Sequence, residues 1–319
     1  MEWKTRVTEL LDITYPIVQG GLAYLAYSEL AAAVSNAGGL GQITAMSMEG
    51  PDQLKEEIDS VRKKTNRPFG VNFAIGQHGR PFQDMVQVAV DEEVPVISVT
   101  GGNPKGVLDL VDGTGIKTLV LVASRRQAVK AEELGADAVM VVGHEGGGHL
   151  GRDDVGTFVL TPQVSDAVGI PVLASGGIGD GRGIMAALAL GADGVEMGTR
   201  FIAVKECVHA HPAYQQALID AEETSTSIIK RSLQTPARAL KNTWTERILE
   251  LEKEQAGYEG LRSYISGEAN KKFIYDGDQA YGFGWAGQVA SRIQDVPTAA
   301  ELFERMISEA EGIRQRWNT

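Results

Sequence analysis

Cysteine is almost missing: Cys207 stands alone among 319 residues. An internal disulfide is therefore excluded, and a thiolate metal cluster is argued against. Aromatic residues are also few, at 6% of the chain, and no low-complexity or fibrous tract occurs. No segment nears the roughly 20 apolar residues that span a bilayer. The amino terminus, MEWKTRVTELLDITYPIVQGG, mixes charges into its apolar residues and never forms the apolar core of a signal peptide. Positive charge is in deficit, with 30 Lys and Arg against 42 Asp and Glu, a formal net charge of −12. Such a surface repels nucleic-acid backbones and anionic membranes. These absences predict a soluble, cytoplasmic protein that acts on a small molecule.

What the chain has is glycine, 38 residues of it, and short β-branched runs. Eight runs recur: PIVQG (16–20), LGQITA (40–45), FGVNFAI (69–75), VPVISVTGG (94–102), KTLVLVAS (117–124), DAVMVVG (137–143), IPVLASGG (170–177) and DGVEMGTRF (193–201). They are nearly unbroken in apolar residues, as strands buried on both faces should be. Between them lie helical stretches such as RRQAVKAEELG and GRGIMAALALG, each ending in a glycine suited to a helix C-cap. The alternation predicts α/β architecture. Eight evenly spaced units suit a closed (β/α)8 TIM barrel better than an open doubly wound sheet. The barrel is expected over residues 1–205, followed by a helical subdomain without strand-like runs over 206–274. A glycine- and aromatic-rich cover segment with a final helix returning to the barrel is expected over 275–319.

In such barrels the chemistry sits on loops after the strand C-termini. Ser175-Gly176-Gly177 and Met197-Gly198-Thr199 end the seventh and eighth runs, and two neighbouring glycine loops can direct backbone N–H groups at one phosphate. Either loop alone also fits a plain tight turn. After the sixth run comes Gly143-His144-Glu145-Gly146-Gly147-Gly148-His149-Leu150-Gly151, where glycines permit close approach to a flat ligand, an isoalloxazine ring among them. Metal binding by the two histidines and Glu145, or a merely solvated loop, are the alternatives. Gln19-Gly20-Gly21-Leu22 and Asn72 offer backbone and amide groups to a heterocycle; Ser98 and Thr100 read as ordinary strand residues. Cys207 lies beyond the eighth run among helical residues, which argues against the barrels that use a catalytic cysteine.

The segments IVQGG, AAAVSNAGGLG, RPFGVN, HEGGGHLG, ASGGIGDGRGIMAALALGADGVEMGTRF and GQVASRI resemble the nitronate monooxygenases, formerly 2-nitropropane dioxygenases, over nearly the whole chain. FMN-dependent NADH:quinone reductases and flavoprotein enoyl-ACP reductases share that scaffold. The resemblance implies FMN held by Gly21, Leu22, Asn72 and Gly147, with phosphate contacts from Ser175, Gly176 and Gly177 and from Glu196, Met197, Gly198 and Thr199. It implies His149 as the acid/base residue and no metal. The implied reaction is oxidation of a nitronate with O2 to a carbonyl compound and nitrite, the substrate lying between His149 and a cover of Tyr281, Phe283 and Trp285. NAD(P)H-dependent reduction of quinones or enoyl-ACP is the alternative. A homodimer through the helical segment fits equally with a solvated face there. The chain departs from the family at His144 and Gly146 in the histidine loop, and at Leu121-Val122-Ala123-Ser124, which lacks a basic residue found in some reductases.

Overall fold

A computed structural model describes residues 3–76 and 81–317. Its strands are β1 (Ile17–Gln19), β2 (Gly41–Thr44), β3 (Phe69–Ala74), β4 (Val96–Thr100), β5 (Lys117–Val122), β6 (Ala138–Val142), β7 (Gly148–His149), β8 (Val172–Ser175), β9 (Gly194–Met197), β10 (Thr226–Ile229) and β11 (Ala237–Leu240). Eight of them form one parallel sheet in the order β1-β9-β8-β6-β5-β4-β3-β2. The sheet closes on itself through a parallel bridge between Val18 and Leu40, with Gln19 N–H donating to the Leu40 carbonyl at 2.9 Å. Each of the eight apolar runs contains one of these strands, and the α/β barrel is the architecture observed.

The strands are β-branched because both of their faces are covered. Val18, Leu40, Val96, Leu119, Ala138, Met140 and Leu173 pack into one cluster with Val7 and Leu11 of the helix Arg6–Leu11. That helix lies at the N-terminal end of the strands: Val7 Cγ1 is 3.3 Å from a Cβ built on Gly194, the first residue of β9. One end of the barrel is thus plugged by apolar side chains, and the chemistry is left to the other. Outside, helices such as Pro51–Lys64 turn Leu54, Ile58 and Val61 inward at helical spacing. The final helix, Ala299–Trp317, packs in the outer ring, where Gly181 lets the helix Gly181–Ala189 approach its backbone; a Cβ there would lie 2.5 Å from the Met306 carbonyl oxygen. Among the described residues no helix is long and apolar enough to cross a membrane.

The expectation of no strand over 206–274 is corrected. β10 and β11 pair antiparallel, with Thr226 opposite Leu240, and β11 pairs onward with β7, setting Ala237 opposite His149. This three-stranded sheet lies over the histidine loop. The strands escape a periodicity reading because four residues carry too little alternation to separate from the surrounding polar, helix-forming sequence.

Candidate active site

The strand ends carry a belt of neutral polar groups. Asn72 on β3 is buried and donates through Nδ2 to Ser98 Oγ on β4 at 2.9 Å, so Ser98 is the partner that the buried amide needs. Gln19 and Gln42 are buried beside β1 and β2, with Gln42 N and Nε2 donating to Gln19 Oε1 and the Gln19 carbonyl at 2.9 and 2.8 Å. Gln42 Oε1 is buried without a hydrogen-bond partner. Glycine gives the room where the chain crosses this belt: a Cβ on Gly20 would sit 1.5 Å from Glu196 Oε1, and one on Gly21 would sit 2.2 Å from Asn72 Oδ1, so a larger residue would displace those side chains. Leu22 is already engaged within the chain, its N–H by Thr44 Oγ1 at 3.0 Å and its carbonyl by Leu25 and Ala26 N–H. What it presents to the site is its side chain, whose Cδ2 lies 3.4 Å from a Cβ built on Gly198.

The two glycine loops meet as neighbours because β8 and β9 are paired, with Ser175 opposite Glu196. Gly176 and Gly177 take left-handed φ values of 92° and 79°, the region that favours glycine. Ser175 Oγ donates to Glu196 Oε2, and burial raises the Glu196 carboxyl above the ordinary carboxylate range while the Ser175 hydrogen bond opposes the rise. Met197 is buried, its carbonyl accepting from Gly20 N–H at 3.0 Å. Thr199 Oγ1 accepts from Gly287 N–H at 2.9 Å, tying the loop after β9 to the late cover segment.

The histidine loop is held on both sides. Glu145 accepts from Thr157 N and Oγ1 at 2.8 and 3.1 Å, which makes it a structural carboxylate at the start of the next helix. Gly147 abuts Gly287, where a Cβ would lie 2.5 Å from the Gly287 nitrogen. His144 turns to Asp154, with Nδ1 3.2 Å from Oδ1, and its carbonyl accepts from Arg238 Nη2 at 2.9 Å. His149 stands on β7, exposed, with its ring centroid 5.5 Å from that of Trp285 and Nε2 2.6 Å from Lys230 Nζ. Lys230 and Arg238 went unseen in the sequence. Both reach the loop only through the hairpin, and a lone lysine after TSII carries no local signal.

The three aromatics of the cover separate. Trp285 faces His149 and bridges to Ala239 of β11. Phe283 is wholly buried behind it, edge-on at 4.7 Å, in a cluster with Ala239 and Ala269. Tyr281 is 65% exposed and leans toward Trp244, 6.4 Å between centroids. Cys207 is buried, and its thiol is pushed up to about 12 by loss of solvent, the state of an inert core residue.

Flavin-dependent oxidoreductases are the class that this barrel and its mouth define. The sequence model of the nitronate monooxygenases matches residues 4–80 and 74–309. A protein of Staphylococcus saprophyticus described as a probable nitronate monooxygenase is 31% identical over 359 residues, covering 99% of this chain and 100% of its own. The solved structure of FabK from Thermotoga maritima superposes with a TM-score of 0.93 at 39% identity, covering 99% of this chain and 98% of its own. A nitroalkane oxidase from Streptomyces ansochromogenes gives a TM-score of 0.85 at 30% identity, covering 98% and 100%. The chain belongs to the nitronate monooxygenase family.

Proposed function

We propose that the chain binds FMN and oxidises alkyl nitronates with O2 to a carbonyl compound and nitrite, His149 serving as the acid/base group. The observation that carries this reading is the position of His149: the pairing of β7 with β11 hangs the imidazole at the C-terminal end of the barrel, beside Trp285. An acid/base group and an aromatic wall thus stand above a neutral, glycine-lined floor.

The residues present fit the cofactor. Gly21, Asn72 and Gly147 are crowded glycine and amide positions suited to a flat, hydrogen-bonding ring, and Leu22 adds an apolar contact. The acceptor left over at Gln42 Oε1 suits a ring N–H in the same belt. Ser175 to Gly177 and Glu196 to Thr199 would take the phosphate end. A carboxyl there ordinarily repels a phosphate; burial raises Glu196 and so weakens that repulsion. FMN, when bound, supplies the electron-accepting and oxygen-reactive chemistry. The chain's own residues orient the substrate, exclude water and move a proton. Histidine is the commonest general base, so His149 is the residue assigned to take the α-proton of a neutral nitroalkane, a step that an already ionised nitronate does not need.

A second reading, reduction of an enoyl thioester or quinone by NAD(P)H, is favoured by the 39% identity and TM-score of 0.93 to FabK. The staphylococcal alignment also runs over 359 residues against a chain of 319, so that relative carries segments this chain lacks. Nitrite release and oxygen uptake on propionate 3-nitronate, run beside NADH oxidation with a quinone and with crotonyl thioester, separates the two. Nitrite formation with little NADH turnover is expected. NADH oxidation coupled to either acceptor, without nitrite, transfers the function to the second reading.

A further inference from the structure

Lys230 is the only buried lysine among the described residues, at 8% exposed. Its place is set by the hairpin. Ile229 ends β10 inside a cluster with Ile248, Leu251 and Leu261, and the chain then turns at Lys230 with φ 65°. The turn is fixed by Glu252, whose Oε2 accepts from Lys230 N–H at 2.9 Å and whose Oε1 accepts from Ser232 N–H and Oγ at 2.8 and 2.7 Å. Left-handed backbone costs a side-chain-bearing residue about 1 kcal/mol, and burying an ammonium costs more. Two costs at one residue point to a use for its side chain.

That side chain reaches back to the mouth. Nζ lies 2.6 Å from His149 Nε2 and 5.6 Å from the Trp285 ring centroid, so the cation is held between an imidazole and an indole face. Among the described residues no carboxylate forms an ion pair with Nζ, and Glu252 is committed to the turn. Arg231, the next residue, points away to Asp154. As an ammonium, Lys230 has only protons to give, so Nε2 accepts and the charge of the pair sits on Nζ. A buried cation at the mouth, with no carboxylate hydrogen-bonded to it, is suited to an anion.

We propose that Lys230 Nζ binds the anionic oxygens of the substrate and makes the mouth selective for an ionised nitronate over the neutral nitroalkane. The inference rests on the nitronate reading, and a carboxylate of the same charge tests the anion site separately. Isobutyrate matches the anion of 2-nitropropane in charge and in its branched three-carbon skeleton. The groups facing Nζ are His149 from β7, Glu252 from the helix Thr243–Lys253 and the uncharged Trp285 ring. Burial pushes the Lys230 ammonium down to about 8 against the pull of Glu252, so anion binding weakens as the pH rises through that value.

The test compares flavin-loaded wild type with Lys230→Met, Lys230→Gly and Lys230→Arg. Glycine removes the ammonium while accepting the left-handed backbone without strain, so a loss shared by the Met and Gly variants is not a folding defect. Isobutyrate is titrated by its perturbation of flavin absorbance across pH, and kcat/KM is measured on 2-nitropropane and on its anion. Met and Gly are expected to weaken isobutyrate binding and raise KM for the nitronate by about tenfold to a hundredfold, as loss of a charge-assisted hydrogen bond would. They should lower the preference for nitronate over nitroalkane and erase the pH dependence near 8, and Arg should restore much of the affinity. Unchanged isobutyrate affinity and an unchanged pH profile in both Met and Gly would overturn the proposal. Should wild type bind isobutyrate with this pH dependence yet release no nitrite from any nitronate, the anion site stands and the nitronate reading falls.

Discussion

On the barrel side of the mouth, ionisable chemistry is kept quiet: the floor is built from amides, hydroxyls and glycines, and its Glu196 carboxyl is pushed by burial toward the neutral acid. On the cover side, the hairpin brings a lysine with a strained backbone against an exposed histidine. Both regions bury an ionisable group, and in both, desolvation favours the uncharged form. The partners differ: Ser175 gives the Glu196 carboxyl a direct hydrogen bond, whereas the Lys230 ammonium meets the His149 imidazole and a ring face, with Glu252 acting on it without a hydrogen bond to Nζ. A floor of this kind suits a cofactor that must be held; a cover of this kind suits a charged substrate that must come and go.

The comparison breaks most visibly at His149. His149→Ala should lower kcat/KM for neutral 2-nitropropane by roughly 100- to 10,000-fold, the usual range for a general base, and affect the pre-ionised anion far less. Equal losses on both substrates would give His149 a role other than proton removal. On the floor, Gly21→Val drives a side chain into Asn72; flavin content of the purified protein should collapse and activity fall on the order of 100-fold. Full flavin retention there would remove the belt from the cofactor site.

Stability separates the cover's aromatics. Phe283→Ala should cost about 3–5 kcal/mol in denaturant unfolding because it empties a wholly buried ring site, while Tyr281→Ala should stay within about 0.5 kcal/mol. A pH-dependent effect on stability concerns Lys230. Its pKa is lower in the folded chain, about 8 against 10.5, so the unfolded chain binds more protons between those values and Lys230's contribution to stability rises with pH across that window. The rise is at most roughly 3 kcal/mol by linkage, and Lys230→Met should abolish it.

Much of the floor is legible in the sequence because fully buried parallel strands write themselves as unbroken apolar runs. The glycines of the β8 and β9 loops also stand in order beside their strands. The cover is not legible. β10 and β11 are four residues each, and their meaning lies in pairing with β7. Lys230 is 81 positions from His149, and no local pattern joins them. The cover aromatics show the same limit: Tyr281, Phe283 and Trp285 alternate in sequence, yet only the bridge to Ala239 turns Trp285 toward the histidine.

The central claim is that this mouth takes electrons from a nitronate. Anaerobic mixing of the purified yellow protein with propionate 3-nitronate, and separately with NADH, tests it directly. The account predicts that the nitronate bleaches the flavin rapidly and NADH leaves it oxidised; rapid bleaching by NADH with indifference to the nitronate would contradict it.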